Sequence, residues 1–588
     1  MDLTTKSSLS TQAADSVLQA QRPLYVYKPF LRLFFMRSQQ SVGKVWHIAA
    51  LLITTIVLAP VLVLAWHALQ GSTEHWQHLI HHVLPVAFSN TVLLLIGVGI
   101  LVTALGVGSA WLITAYQFPT RGIVSWALLL PLAVPTYIVA FAYLDILHPI
   151  GPVQTLIRDI LGYTSPRQFR LPDLRSLPGA IFLLGFVLYP YVYLSTRAMF
   201  ATQAASLIEA ARVLGESQRT VFYRVALPMA RPAVAVGVSL ALLETLNDIG
   251  ASEFLGIQTL TVSIYTTWVT RSDLAGAAQI ALSMLAIIAA LIMVERYGRR
   301  HQRYTQNQRS HPVRPLELKG TAALIAMGLG WAPVIIGFIA PALYLISESY
   351  KHIHLTGAVS DQLLSSAWNT VRVALIATAV TISAGLVVAW AARTVRYGQR
   401  QRLAVKVTRL ASIGYAVPGT VLAIGMLSPL VFFDASFNTV LSWFKQTPPQ
   451  LFLMGSTAAL ILAYAIRFLA ISAGGIEAGL SRIPPSIEQA SRLLGESPSG
   501  TLKRVHLPLL RPALGAAALL IFVDTMKELP ATLMLRPMNF ETLATWLYAE
   551  AARGTYEEGA VAALAIVIAG LIPVILLAKS QLDPRSAK

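Results

Sequence analysis

Apolar residues in this chain come in long continuous blocks separated by short polar loops. The blocks fall near residues 46–68, 90–116, 123–147, 177–199, 232–255 and 276–295, then near 321–347, 369–392, 408–432, 453–473, 512–535 and 558–579. Each is close to the ~20 residues a helix needs to cross a bilayer's hydrocarbon core. The blocks are continuous rather than alternating in polarity, which disfavours a transmembrane β-barrel. The pattern predicts an all-α polytopic membrane protein with about twelve transmembrane helices in two six-helix sets. The expected division is a tail over 1–45, a first transmembrane domain over 46–295, a basic linker over 296–320, a second transmembrane domain over 321–580 and a tail over 581–588.

Composition agrees. Of 588 residues 55% are hydrophobic and only 12% charged, about half the charged fraction of soluble proteins. The formal net charge is +18. In a soluble chain that would suggest nucleic acid, but here the basic residues sit in short loops and orient the helices. Arg121, the run Arg393, Arg396, Arg400, Arg402, Lys406 and Arg409, and the linker arginines Arg299, Arg300, Arg303, Arg309 and Arg314 all fall on one side if both termini are cytoplasmic. The loop from His148 to Ser176 is the exception, with Arg158, Arg167, Arg170 and Arg175 partly offset by Asp159 and Asp173; it is long enough for a small external subdomain. The first 45 residues are polar and basic and lack a signal peptide's apolar core. They are expected to form a cytoplasmic tail, with the aromatic and basic stretch from Tyr25 to Phe35 suited to lie on the membrane surface. There are no cysteines, which excludes disulfides, thiolate metal sites and cysteine nucleophiles.

The two sets are related. Ser89-Asn90-Thr91 opens the second block and Trp368-Asn369-Thr370 the eighth, and PLAVPTYIVAF around Pro135 parallels GYAVPGTVLAIG around Pro418. An even number of spans per half makes this a parallel repeat about an axis along the membrane normal, with a shared pathway between the halves. The clearest repeat is polar. SLIEAARVLGESQRTVFYRVALPMARP begins at Ser206 and SIEQASRLLGESPSGTLKRVHLPLLRP at Ser486. Ser206 with Glu209, and Ser486 with Gln489, have capping-box spacing. Gly215 and Gly495 can stop a short helix in the left-handed conformation. Ser217 and Ser497 can cap a second helix, with Pro498 at its first position. That helix is expected to end near Leu227-Pro228 and Leu507-Pro508. The product is a helix–turn–helix elbow on the cytoplasmic face. One copy would be an amphipathic connector; two matched copies suit docking of a symmetric partner.

At these residues the chain resembles ABC importer permeases. Glu209, Ala210, Ala211, Gly215, Val225, Leu227 and Pro228 fit that family's loop signature, as do Ala490, Gly495, Val505, Leu507 and Pro508; Gln489 and Ser491 depart from it. The resemblance covers nearly the whole chain, as two fused permease domains of the type I importer fold. It implies that each elbow holds a coupling helix seated in an ATP-hydrolysing subunit, with two copies of that subunit. It further implies a periplasmic or lipid-anchored binding protein, residence in a bacterial inner membrane, no cofactor on this chain, and ATP-Mg on the partner. The departures at Gln489 and Ser491 imply two unequal grips. The stretches Leu242 to Trp268 and Asp524 to Thr545, LPLAVPTYIVAFAYLDIL and Gly151-Pro152-Val153-Gln154 look like the ferric-iron permeases of the family. Similar fused permeases move thiamine, sulfate or polyamines.

Candidate pathway residues follow from charge. Glu244 and Asp248 lie four apart in the fifth block, and Asp524 and Glu528 take the equivalent places in the eleventh. Counted from Pro232 at 1.5 Å per residue, Glu244 lies about 18 Å deep and Asp248 about 24 Å. Intramembrane carboxylates usually face a bundle interior or a pathway, and hard cations prefer oxygen ligands. Alternatively they cap helix ends, with Lys527 neutralising its neighbours. In EHWQHLIHH, His78 and His82 share a helical face beside Glu74, His75 and His81 and can hold a metal such as zinc, or simply form an interfacial turn. Enzyme chemistry is disfavoured: GESPSG at Gly495 lacks the Lys-Ser/Thr of a phosphate loop. A secondary transporter would need no elbow.

Overall fold

A computed structural model describes residues 28–70, 76–202, 205–299, 315–394, 406–443 and 451–582. Among these, eleven helices are long and apolar enough to cross a membrane, or twelve when Arg121–Ala133 and Thr136–Ile146, bent by 95°, are taken as one span. That bend breaks the third block. A 3-10 turn over Leu130–Ala133 leads into Val134 and Pro135, both extended, before Thr136–Ile146 begins. The residue before a proline is pushed out of the α region, so the helix cannot pass through. Val417 and Pro418 repeat the break, so the ninth span is Gly419–Ser442 rather than 408–432.

The first helix also departs from expectation. It runs unbroken over Lys28–Gln70, so residues 28–45 of the expected tail extend the first span, Val45–Gln70, and residues 1–27 lie outside the described residues. Pro29 is tolerated in its first turn, and no other proline interrupts it before Pro60.

The first helix of each half lies across both halves. Lys28–Gln70 packs on Leu274–Arg299 of its own half and on Gly419–Ser442 and Asp361–Thr394 of the second half. There His67 Nε2 lies 2.6 Å from Ser428 Oγ. The first helix of the second half, Thr321–Thr356, packs through Ala340–Thr356 on Tyr556–Leu582 of its own half and also lies on the first half: Tyr344 donates to Asp145 Oδ2 at 2.7 Å, and Tyr143 donates to the Ile336 carbonyl at 2.7 Å. Tyr116-Gln117 and Leu316-Glu317 add a short parallel strand pair across the same junction. Gly425 permits the first of these contacts, since a Cβ there would overlap the Pro60 carbonyl and sit 2.8 Å from its carbon. Small residues serve this purpose where helices pack within lipid.

The fifth and eleventh blocks end early. Their helices stop at Asn247 and Met526 and are followed by short helices Gly250–Phe254 and Pro530–Leu535, then Leu260–Val269 and Leu543–Arg553. The repeated Asn-Thr pairs hold these returns. Asn90 donates to the Gln258 carbonyl and Asn369 to the Glu541 carbonyl, both at 3.2 Å. Thr91 and Thr370 accept from the amides of Leu260 and Leu543 at 2.9 and 2.8 Å.

The elbows form with two corrections. Their first helices are Ala205–Val213 and Pro485–Leu493, so Ser206 and Ser486 lie inside them rather than at the cap. The Leu-Pro pairs do not stop the second helices either: Gln218–Asn247 and Pro498–Met526 are continuous. A π-turn over Phe222–Ala226, or Leu502–His506, precedes each pair. Proline has no amide hydrogen and its ring clashes with the carbonyl four residues back; here that residue, Arg224 or Arg504, lies in the widened turn. Leu79–Val83 before Pro85 and Ile335–Ile339 before Pro341 use the same device. The caps at Ser217 and Ser497 are as expected, accepting from the amides of Thr220 at 3.3 Å and Gly500 at 3.1 Å.

The helix crossing predicts a contrast between two glycines. Gly425→Ala should cost about 1–3 kcal/mol through overpacking. Gly474→Ala, which meets nothing within 4 Å, should be neutral or up to about 1 kcal/mol stabilising. Thermal unfolding in detergent checks this, and equal shifts would contradict the close approach.

Candidate functional site: a charged cavity between the halves and two exposed elbows

Charged side chains of both halves meet at one cavity of about 130 Å³. The first half contributes Pro135, Thr136, Tyr137, Tyr191 and the run around Glu244, Asn247 and Asp248; the second contributes Tyr415, Arg467 and the run around Asp524, Lys527 and Glu528. Val187, Leu188 and Tyr191 lie near the middle of helix Leu177–Thr202. At 1.5 Å per residue that helix is roughly 39 Å long, so the cavity sits near mid-depth.

The four sequence-predicted carboxylates do line this one cavity, but not as a helical stripe. Because the helices end at Asn247 and Met526, Asp248 and Glu528 lie beyond them and cap the short helices that follow. Asp248 accepts from the amides of Ala251 and Ser252, both at 3.2 Å, and from Thr136 Oγ1 at 3.0 Å. Glu528 accepts from the amides of Ala531 and Thr532 at 3.0 and 3.1 Å and from Arg467 Nη1 at 2.9 Å. Asp524 pairs with Lys527 at 2.9 Å. Glu244 accepts from Tyr415 at a long 3.4 Å. The Asn247 Oδ1, in the cavity wall, is buried with no hydrogen-bond partner.

The lining thus has four carboxylates against two cations, with an amide oxygen and phenols besides. Oxygen donors of this kind suit hard cations. Among the described residues no three His, Cys, Asp or Glu side chains approach closely enough to hold a metal ion. Sequence reasoning misses Arg467, Tyr191 and Tyr415. Arg467 carries a legible signal, a lone charge inside the tenth apolar block; the tyrosines carry none.

His78 and His82 do share a face, their rings stacked with centroids 5.1 Å apart. Two imidazoles alone fill half of a tetrahedral zinc shell. Glu74 and His75 lie outside the described residues. The His148 to Ser176 loop folds around a short helix, Pro152–Leu161.

The elbows lie at the other end of Leu177–Thr202 from that loop, and Thr457–Ser481 leads to the second elbow in the same way. Gly215 and Gly495 take φ of 82° and 86°. The following amides, of Glu216 and Glu496, bond back to the carbonyls of Ala211 and Ser491 at 3.2 and 3.1 Å, closing a left-handed C-cap. This bend thrusts out two apolar pairs: Val213 and Leu214 are 88% and 83% exposed, Leu493 and Leu494 89% and 85%. Ala210, Gln489 and Ala490 are exposed beside them. Ala211 and Leu227 in the first elbow, and Ser491 and Leu507 in the second, turn inward; Ser491 Oγ meets Thr501 Oγ1 at 3.0 Å. Pro228 is half-buried and Pro508 exposed. The two elbows thus present matched exposed apolar tips at equivalent positions.

Residues 102–303 and 381–588 each match the family of binding-protein-dependent transport system inner membrane components. An Fe(3+)-transport system permease protein of Haemophilus influenzae is 26% identical over 512 residues, covering 87% of this chain and 92% of its own. A molybdenum transport system permease protein of Escherichia coli is 28% identical over 209 residues, 33% of this chain and 88% of its own. A putative 2-aminoethylphosphonate transport system permease protein of Salmonella typhimurium is 28% identical over 250 residues, 42% of this chain and 83% of its own. The last two align nearly whole with less than half of this chain, as single-domain relatives of a duplicated protein do. The chain belongs to the binding-protein-dependent transport system inner membrane component family and carries the family's domain twice: it is a multi-pass ABC transporter permease of the inner membrane.

Proposed function

We propose that this permease imports ferric iron, received from an external binding protein and driven by two copies of an ATPase docked on the two elbows. The observation that carries the cargo is the cavity at mid-depth. Its donors are carboxylate, amide and phenol oxygens, with no thiol or imidazole among its lining residues, the set a hard, highly charged cation prefers. Relatives named for Fe(3+) transport support the same cargo. Glu244, held only by a long bond to Tyr415, is the carboxylate best placed to turn toward a passing ion; Asp524 follows by releasing Lys527.

Arg467 and Lys527 favour a second reading, an oxyanion cargo, in line with the relatives named for molybdenum and 2-aminoethylphosphonate. Both cations are already engaged with carboxylates at 2.9 Å, so the cation reading is preferred. Thiamine, sulfate and polyamines are the remaining alternatives. Both termini are assigned to the cytoplasm because the elbows and basic loops then share the positive side. The chain binds no cofactor; ATP and Mg²⁺ belong to the ATPase. Movement of the elbows tilts the halves and opens the cavity to alternate sides.

Purification of the binding protein with its native ligand tests the cargo: bound ferric iron is expected, and an oxyanion or organic ligand there would overturn it. In vesicles, iron uptake should require the ATPase, ATP and the binding protein; uptake on an ion gradient alone would point to a secondary transporter. Glu244→Gln with Asp524→Asn should lower uptake about 10-fold, equivalent to ~1.4 kcal/mol, with ATPase binding unchanged; unaltered uptake would sink the acidic path. Gly215→Ala and Gly495→Ala place a Cβ at similar positive φ, each at a strain of about 1–2 kcal/mol. With strain matched, the difference in ATPase co-purification reads docking. Gly215→Ala should reduce ATPase co-purification and transport more than Gly495→Ala, because only the first elbow carries Glu209-Ala210-Ala211; equal losses count against unequal grips.

A further inference from the structure

The duplication supplies an internal control for how each elbow is seated. Around Gly385 and Gly106 the halves align without gaps, so Trp390 and Arg393 correspond to Trp111 and Thr114. The elbows align likewise, so Glu488 and His506 correspond to Ile208 and Ala226. Three positions that are uncharged in the first half therefore carry charge or a titratable ring in the second.

The structure brings those three together. Arg393 Nε donates to Glu488 Oε1 at 2.6 Å, while its Nη1 and Nη2 donate to the carbonyls of Leu480 and Ile483, both at 2.8 Å. Leu480 lies in the last turn of Thr457–Ser481. One guanidinium thus bonds two carbonyls at the end of that helix and just beyond it, and grips the elbow helix Pro485–Leu493. On the other side His506 Nε2 lies 3.3 Å from the same Glu488 Oε1, and Nδ1 lies 3.2 Å from the Thr501 carbonyl. Carboxylate and carbonyl oxygens only accept, so the ring stands between two acceptors, one on the elbow helix and one on the helix that follows. Glu488 is 2% exposed and His506 fully buried. The His506 ring meets Trp390 edge-on at 4.9 Å.

In the first half the matching space is filled by aromatic carbon. Trp111 packs on Phe200 at 5.7 Å and Phe222 at 5.1 Å. The second half has the smaller Leu480 and Leu502 at those two positions, and a histidine where the first half has Ala226. The two seats have similar shape and different chemistry.

We propose that Glu488 is a positioning residue that ties the second elbow rigidly to two transmembrane helices, Asp361–Thr394 through Arg393 and Pro498–Met526 through His506. The first elbow has the apolar Ile208, fully buried, at this place. A buried ion pair adds little to net stability compared with apolar residues of the same volume, but it holds one geometry, since separating it leaves a charge stranded away from water. Displacement of the second elbow therefore moves both helices with it. This inference rests on the reading that the elbows hold the ATPase.

The test uses the full chain assembled with its ATPase in proteoliposomes. Two variants are compared with the unaltered protein: Glu488→Gln, and the triple Arg393→Thr, Glu488→Ile, His506→Ala, which transplants the first half's residues and keeps the site packed without charge. Two quantities are read: the amount of ATPase retained, and the stimulation of ATP hydrolysis by the binding protein. Both variants should retain the ATPase, while stimulation falls at least about fivefold, the lower end of ordinary coupling between sites. Normal stimulation with the ATPase retained would overturn the positioning role and leave elbow docking standing. Loss of the ATPase from the variants alone would make Glu488 part of the docking surface, also overturning it. Failure of the unaltered chain to bind the ATPase would remove the docking reading itself.

Discussion

A backbone that breaks inside a bilayer must find its hydrogen-bond partners within the protein, because lipid offers none. Two of the breaks in this chain fall after Asn247 and after Met526. Asp248 and Glu528 supply the missing acceptors to the next short helices, and Asn90, Thr91, Asn369 and Thr370 tie down the returning segments. The breaks let both chain reversals come together between the halves and so create the cavity. Its acidity therefore has two origins. Asp248 and Glu528 are bound to backbone amides and form part of the frame. Glu244 and Asp524, one turn earlier, are held by the side chains of Tyr415 and Lys527.

Much of this is legible in the sequence. Block length marks the spans, the duplicated polar segment marks the elbows, and intramembrane carboxylates point to the cavity. The departures have a common cause. Hydropathy runs unbroken through Asn247 and Asp248, so it predicts a continuous helix where a carboxylate instead accepts bonds from the next helix. Leu-Pro reads as a stop because proline lacks a donor, yet a π-turn before Pro228 and Pro508 moves the obstructing carbonyl aside. The Asn-Thr repeats are visible, but their role needs partners about 170 positions away. The crossing of first helices between the halves leaves no trace, since the contact between Gly425 and Pro60 joins residues remote in sequence.

The halves keep one frame while differing in what fills it. Caps, glycine bends, exposed apolar tips and π-turns recur at matched positions. The basic groups of the cavity and of the second elbow's seat do not. Arg467, Lys527, Arg393 and His506 all belong to the second half, and the aligned positions of the first half hold Val187, Asn247, Thr114 and Ala226.

The crossed first helices bear on why the two domains share a polypeptide. Each half already clasps a helix of the other, so cohesion does not depend on the connecting segment. What the covalent join secures is stoichiometry. Two separate chains of such similar shape would pair with themselves as readily as with each other, giving assemblies with two Arg393–Glu488–His506 seats or with none. A single gene product always contains one, and fusion thereby works as a sorting rule rather than as a fastener.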